Sequence, residues 1–324
     1  MKNKLALVRI MFVLITLFGV AAIAVDSTGL SSKGNATIAA NRDDSGTLSV
    51  WGDDSAHQVT DAPTGEFRAI AKGGAFQGLA IRSDGTLVLW GGYNDPLAVP
   101  PIPVAIAGEE FVSAAIGRSH AMALRSDGSV AGWGKNSSGQ LNVPAAVRFE
   151  AITAGNSHSI GLAEDGTLYG WGSNAFGQIN VPAGRFTDIA ARIHYSLAIR
   201  DDGTLFGWGA SPTGIFATWT PDGEGHFYVA GKKFKGIAAG NFHALAMNGN
   251  KTVEAWGSNA SGQLNVPERV RFKEVGGGFG YSIGITVNGT LMAWGDNSSG
   301  QLNVPPGKFD SVAAVAFHAE AIAH

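Results

Sequence analysis

Cysteine is absent from all 324 residues. No disulfide can therefore shorten the unfolded chain, and thiolate metal sites and redox pairs are excluded. Charge is thin as well: Asp, Glu, Lys and Arg make up 15 %, against roughly 25 % in an average domain. From Ser45 onward, no stretch carries apolar residues at helical spacing over the length a helix requires. The one long apolar run, Ile10 to Ala24, is shorter than the ~20 residues a membrane span needs. With Lys2, Lys4 and Arg9 near its start and Ala22-Ile-Ala24 at its end, it reads as a cleaved secretory signal over residues 1–24, an uncleaved anchor being the alternative. Without Lys2, Lys4 and Arg9, 20 basic residues face 26 acidic ones, a net charge of −6. That balance disfavours nucleic acid, and after signal removal a membrane, as partners.

Glycine, by contrast, is abundant, with 46 residues, about twice the usual ~7 %. Seven glycines follow a tryptophan, at Trp51, Trp90, Trp133, Trp171, Trp208, Trp256 and Trp294. The spacings are 39, 43, 38, 37, 48 and 38 residues. A period near 40 marks an array of equal supersecondary units. Phe111, Phe149, Phe186, Phe234 and Phe272 each stand 22 residues before such a tryptophan.

Each unit parses into short strands. Phe149 to Ala154 and His158 to Leu162 are alternating runs, and Asp165-Gly166 is a hairpin signal before Thr167 to Trp171. Ile179 to Val181 reads as a short fourth strand stopped by Pro182. Four antiparallel strands in about 40 residues make one propeller blade. The tail from Phe309 holds two strands of a further unit, and Ser45 to Gly52 holds a third with no clear first half before it. The expectation is an all-β, seven-bladed β-propeller of four-stranded antiparallel blades over residues 44–324, its closing blade shared by both termini. Residues 25–43 read as a flexible leader, although Asn35 to Asn41 offers a degenerate opening of the first blade as the alternative.

The recurring Gly-x-x-His, Asp-Gly and Trp-Gly-x-Asn-x-x-Gly-Gln pattern, seen whole at Gly155 to Gln178, resembles the regulator of chromosome condensation repeat family. That resemblance implies a seven-bladed propeller with a composite closing blade. The Gly-Gln-x-Asn-Val-Pro runs at Gly139, Gly177, Gly262 and Gly300 are most similar in style to the family's secreted β-lactamase-inhibitory members. In those members, two loops per blade share a face and supply contacts, which implies a binding face here.

Candidate residues fall into two groups. His120, His158, His243 and His318 recur in phase, with Gln77, Tyr195 and Tyr281 at the equivalent places. Interchange with Gln and Tyr points to structural hydrogen bonds rather than to a metal or catalytic site. The seven repeat tryptophans read as core. No metal, cofactor or catalytic group is expected, and neither a nucleophile elbow nor a His-x-x-x-His pair. The second group is the loop residues that differ from blade to blade: Phe76, Tyr93, Phe176, His194, Phe242, Phe279 and Phe317. Such positions are where recognition is encoded, unless the rings fold back between blades. The excursion from Ala210 to Lys233 adds Phe216, Trp219, Phe227 and Tyr228, which is either the strongest contact patch or a self-packed hairpin. The expected function is a secreted, monomeric, non-catalytic protein-binding scaffold. Inhibition of an enzyme such as a β-lactamase, or glycan or cell-wall binding, are the alternatives.

Overall fold

The computed structural model describes residues 45–211 and 213–323. The signal, the leader and the Asn35 to Asn41 alternative lie outside them. Described residues form antiparallel strand triplets joined in sequence order. Blade 1 pairs Glu66–Ile70, Gln77–Arg82 and Leu87–Gly91; blade 2 pairs Ser113–Ile116, His120–Leu124 and Val130–Gly134. Blade 3 pairs Phe149–Ala154, His158–Ala163 and Leu168–Gly172; blade 4 pairs Phe186–Arg192, Tyr195–Arg200 and Leu205–Gly209. Blade 5 pairs Phe234–Ala239, His243–Asn248 and Val253–Gly257; blade 6 pairs Phe272–Gly277, Tyr281–Thr286 and Leu291–Gly295.

Blade 7 is made by both ends of the described chain. Ser311–Ala314 pairs with His318–Ala323, and Gly46–Gly52 completes the triplet in unbroken register from Thr47 opposite Ala323 to Gly52 opposite His318. First strands of successive blades touch in a closed circuit, returning from Ser311–Ala314 to Lys72–Gly73 and Glu66–Ile70. The molecule is thus a closed all-β propeller.

Burial explains why these residues take these places. In Phe149–Ala154 only Glu150 is exposed, and the rest of the strand is buried. First strands converge on the axis, so they are rich in Ala and Gly. A Cβ added to Gly276 would lie 3.1 Å from the Cβ of Ala314 in the next blade. The core is not one body but seven clusters, each between two adjacent blades. Every repeat tryptophan serves one of these interfaces.

The outermost segment departs from the four-strand expectation. Ile179 to Val181 makes no strand ladder, and Val181 N–H turns back to the carbonyl of Ile179. Side chains supply the pairing instead: Asn174 Oδ1 accepts from Ile179 N–H and Asn174 Nδ2 donates to Asn180. Among the described residues, blade 4 alone adds outer ladder strands, His226–Tyr228 on Leu205–Gly209 and Thr220–Pro221 beyond it, while on the inner side Lys72–Gly73 pairs parallel with Ser113–Ile116 of blade 2.

Candidate functional site

Antiparallel pairing sends the turn between first and second strands, and the loop after Trp-Gly, to the same face. Backbone bonds tie the two loops together in blade after blade: Lys135 to Ser119, Ser173 to Ser157, Ser258 to Phe242, Asp296 to Gly280 and Asp53 to Phe317. This face surrounds the mouth of the axial channel.

The interior of three links between blades is fixed by a polar relay. His120 Nε2 lies 3.1 Å from Ser159 Oγ in blade 3, and Ser159 Oγ donates to the carbonyl of Gln140. That carbonyl also accepts the indole N–H of Trp171 at 3.0 Å. The serine proton is committed to the carbonyl, so the histidine must donate through Nε2. Nδ1 then carries no proton and has no partner. The same relay joins His158, Ser196, Gln178 and Trp208, and again His243, Ser282, Gln263 and Trp294. Burial drives the imidazole pKa down to about 4 at His120, about 3 at His158 and about 4 at His243. These are neutral donors.

Where the next blade offers no serine, the partner changes. The hydroxyls of Tyr195 and Tyr281 reach past Ala244 and Ala319 to backbone carbonyls of the following turn, at Gly240 and His243, and at Val315 and His318. Burial pushes both phenols up. Gln77 faces Val99 with both its amide atoms. His318 meets Gly78 across the closing interface, and Glu320 fills the space, its Oε1 3.1 Å from His318 Nε2. Burial raises the Glu320 carboxyl.

Gly280, Ser282 and Gly284 have the Gly-x-Ser-x-Gly spacing of a nucleophile elbow, which corrects the expectation that none is present. Ser282 nevertheless sits inside the strand Tyr281–Thr286, fully buried, and donates to Gln263 while His243 donates to it. That polarity is the reverse of a serine activated by a histidine base.

The variable residues divide sharply. Phe242, Phe279, Phe317 and Phe76, from four consecutive blades, form one row of half-buried rings along the channel mouth. Neighbouring centroids lie 5.0, 4.8 and 5.4 Å apart. Arg118 lies 5.6 Å over Phe76 and forks onto Asp95 at 2.5 and 3.0 Å. That fork is the main cause holding the Asp95 carboxyl below its ordinary range. Phe176, 52 % exposed, leans on His194, and Tyr93, 61 % exposed, stacks on His57.

The excursion in blade 4 corrects its reading as the strongest contact patch. Phe216 and Trp219 are each only 6 % exposed and belong to the interface between blades 4 and 5. Trp219 meets Trp256 edge-on at 5.4 Å, and Phe216 stacks on Phe227 at 5.4 Å. Tyr228 packs against Phe206. The hairpin closes onto bare backbone, because a Cβ at Gly207 would lie 2.3 Å from the Phe216 ring. It is a self-packed hairpin. Asp222, Glu224 and His226 cluster at its tip, but both imidazole nitrogens are engaged, by Asp222 and by the carbonyl of Asn180.

Two arginines escaped the sequence reading. Arg118 carries the ion pair above. Arg192 stands where the other blades have Gly74, Gly117, Gly155, Gly240 and Gly278, with Val315 in blade 7. A cation at a repeat glycine was the available signal.

Comparison with known proteins follows this geometry. The family model described as the regulator of chromosome condensation (RCC1) repeat matches residues 111–140, 149–178, 234–263 and 272–301. Each segment runs from the landmark phenylalanine to the glutamine of a link. No curated protein sequence matches the chain. Among solved structures, Prp20p from Saccharomyces cerevisiae, described with its binding properties to Gsp1p and histones, superposes with a TM-score of 0.71 at 15 % identity, over 88 % of this chain and 92 % of that one. Human WBSCR16 gives 0.66 at 20 % identity over 86 % and 98 %. The CRINKLY WD40 ectodomain of the Arabidopsis thaliana receptor kinase ACR4 gives 0.58 at 22 % over 76 % and 88 %. These likenesses establish a shared fold.

Proposed function

Because the chain belongs to the RCC1 repeat family of β-propellers, we propose that it is an exported, monomeric, non-catalytic scaffold that binds a protein partner on its channel-mouth face. The observation carrying this reading is the row of four phenylalanines with Arg118 at its end. Aromatic rings and arginine dominate the energetics of protein interfaces. A closed ring holds them in place beforehand, so docking costs little ordering entropy. The yeast neighbour's described dealings with Gsp1p and histones, and the ectodomain setting of the plant neighbour, are in keeping with a protein partner and with export. Residues 1–24 supply the export signal, and the net acidity of the remainder argues against nucleic acid.

The test is affinity capture from the proteins exported by the native source, comparing the wild type with a Phe279→Ala, Phe317→Ala double variant. A stoichiometric protein held by the wild type and lost by the folded variant is expected. Equal retention by both would move the contact elsewhere. Recovery of glycan instead of protein would favour the cell-wall reading, and loss of nitrocefin turnover by a class A β-lactamase would identify the partner as that enzyme.

A further inference from the structure

At the channel mouth, the ends of four first strands line a small pocket that is open to solvent on one side and has an interior volume of about 10 Å³, roughly the room one water needs. Gly74, Gly117 and Gly155 keep one side open, and Asn156 and Arg192 supply its polar groups. The glycines cannot be filled, because a Cβ at Gly155 would lie 2.1 Å from the His158 ring and one at Gly117 2.4 Å from the carbonyl of Gly155.

Arg192 is 4 % exposed. Its Nε donates to Asn241 Oδ1 at 2.7 Å, which fixes the guanidinium plane. Nη1 and Nη2 are buried and have no acceptor among the described residues. None of the ion pairs among those residues includes Arg192. The ionisable groups that face it are Tyr195, Tyr281 and His243. Both phenols donate to backbone carbonyls and the histidine is a neutral donor, so none is an anion. The axial carboxylate of Glu274 is engaged by Lys72 and by the N–H of Val312. A buried, oriented and uncompensated guanidinium is costly unless an anion meets it.

We propose that this axial pocket is a carboxylate-binding site, with Nη1 and Nη2 of Arg192 holding the two oxygens in a fork and the Asn156 amide closing over one of them. A planar carboxylate matches the guanidinium fork in shape as well as in charge. The carboxylate comes from a small free acid or from the end of a docked chain, and the two share this chemistry. The site does not depend on the phenylalanine row.

Binding to the full-length protein is measured by calorimetry with three probes: sodium acetate, the dipeptide glycyl-phenylalanine, and glycyl-phenylalanine amide. The variants are Arg192→Gln and Arg192→Gly, the second restoring the residue that other blades carry and so keeping the fold. Saturable binding of acetate or of the free dipeptide is expected, with affinity falling roughly tenfold to a hundredfold in both variants, as loss of charged hydrogen bonds implies. Binding of acetate alone identifies a small acid; binding of the dipeptide but not its amide identifies a chain terminus. No saturable binding by any probe, or equal binding in wild type and Arg192→Gly, overturns the proposal and leaves water as the guanidinium's partner.

Discussion

Five links between blades are built alike, and two are not. In the regular five, the tryptophan of one blade donates to the backbone carbonyl of a glutamine in the blade before it: Gln301 for Trp51, Gln58 for Trp90, Gln140 for Trp171, Gln178 for Trp208 and Gln263 for Trp294. The other two follow the excursions after Trp90 and Trp208. There Trp133 has a buried indole N–H with no partner, and Trp256 is met by Trp219 and Phe234. In the blade 4 link, Ile215 occupies the place where Gln140 and Gln178 back the glycine after tryptophan elsewhere. Regular links exchange directed hydrogen bonds, whereas the link between blades 4 and 5 exchanges aromatic area. Both seal the interface, which is why a ring tolerates the substitution.

The largest effect should come from breaking the closure itself. Deleting Phe309 to His324 removes two strands of blade 7 and exposes the ladder edge of Gly46–Gly52. An unfolded or aggregated product is expected, and a soluble monomer on size exclusion would show that the ring does not need its seal.

Acid should discriminate next, because only regular links bury histidine against serine. His120, His158 and His243 are neutral in the fold and regain an ordinary pKa near 6.5 when unfolded. Their contribution is fully present above pH 6.5 and is lost as pH falls toward about 4, at about 1.4 kcal/mol per pH unit for each imidazole. Side-chain and backbone bonds from Thr204 hold Asp202 down to about 2, so its contribution disappears only at lower pH. Urea midpoints measured from pH 7 to pH 5 should fall steeply; a flat profile contradicts the neutral relays.

Trp219→Ala should cost about 3–5 kcal/mol, as a buried repeat tryptophan would. A melting temperature within a degree of the wild type would return the hairpin to the surface. The smallest change is Ser159→Ala, which strands the His120 donor in an otherwise intact interface. About 1–3 kcal/mol is expected, against almost nothing for Ser137→Ala in an exposed loop.

The relays also show how far the sequence could be read. Histidine in one blade goes with serine just after the recurring His or Tyr of the next: His120 with Ser159, His158 with Ser196, His243 with Ser282. Tyr195 and Tyr281 precede blades with alanine there. That correspondence lies in the letters and was legible as a period. His57 was harder: it stands with φ of 60° where Gly139, Gly177, Gly262 and Gly300 stand, and so disguises the link ending at Gln58. Phe76, Phe242, Phe279 and Phe317 were legible as variable loop positions, whereas their alignment into one row depends on the angle between blades. Trp219 was misplaced because four aromatics in an insert look alike whether they face solvent or each other.

Periodicity by itself determined the strand triplets, the Trp-Gly core and the shared blade, because each follows from spacings along one unit and from the need to cover free sheet edges, whereas the face carrying the loops was implied by the family resemblance. Only the tertiary structure decided that the hairpin packs inward, that the outer segment pairs through asparagine side chains, and that Arg192 points its fork into the axial pocket. Those outcomes are set by contacts between blades tens of residues apart, where direction and distance decide and local composition is silent.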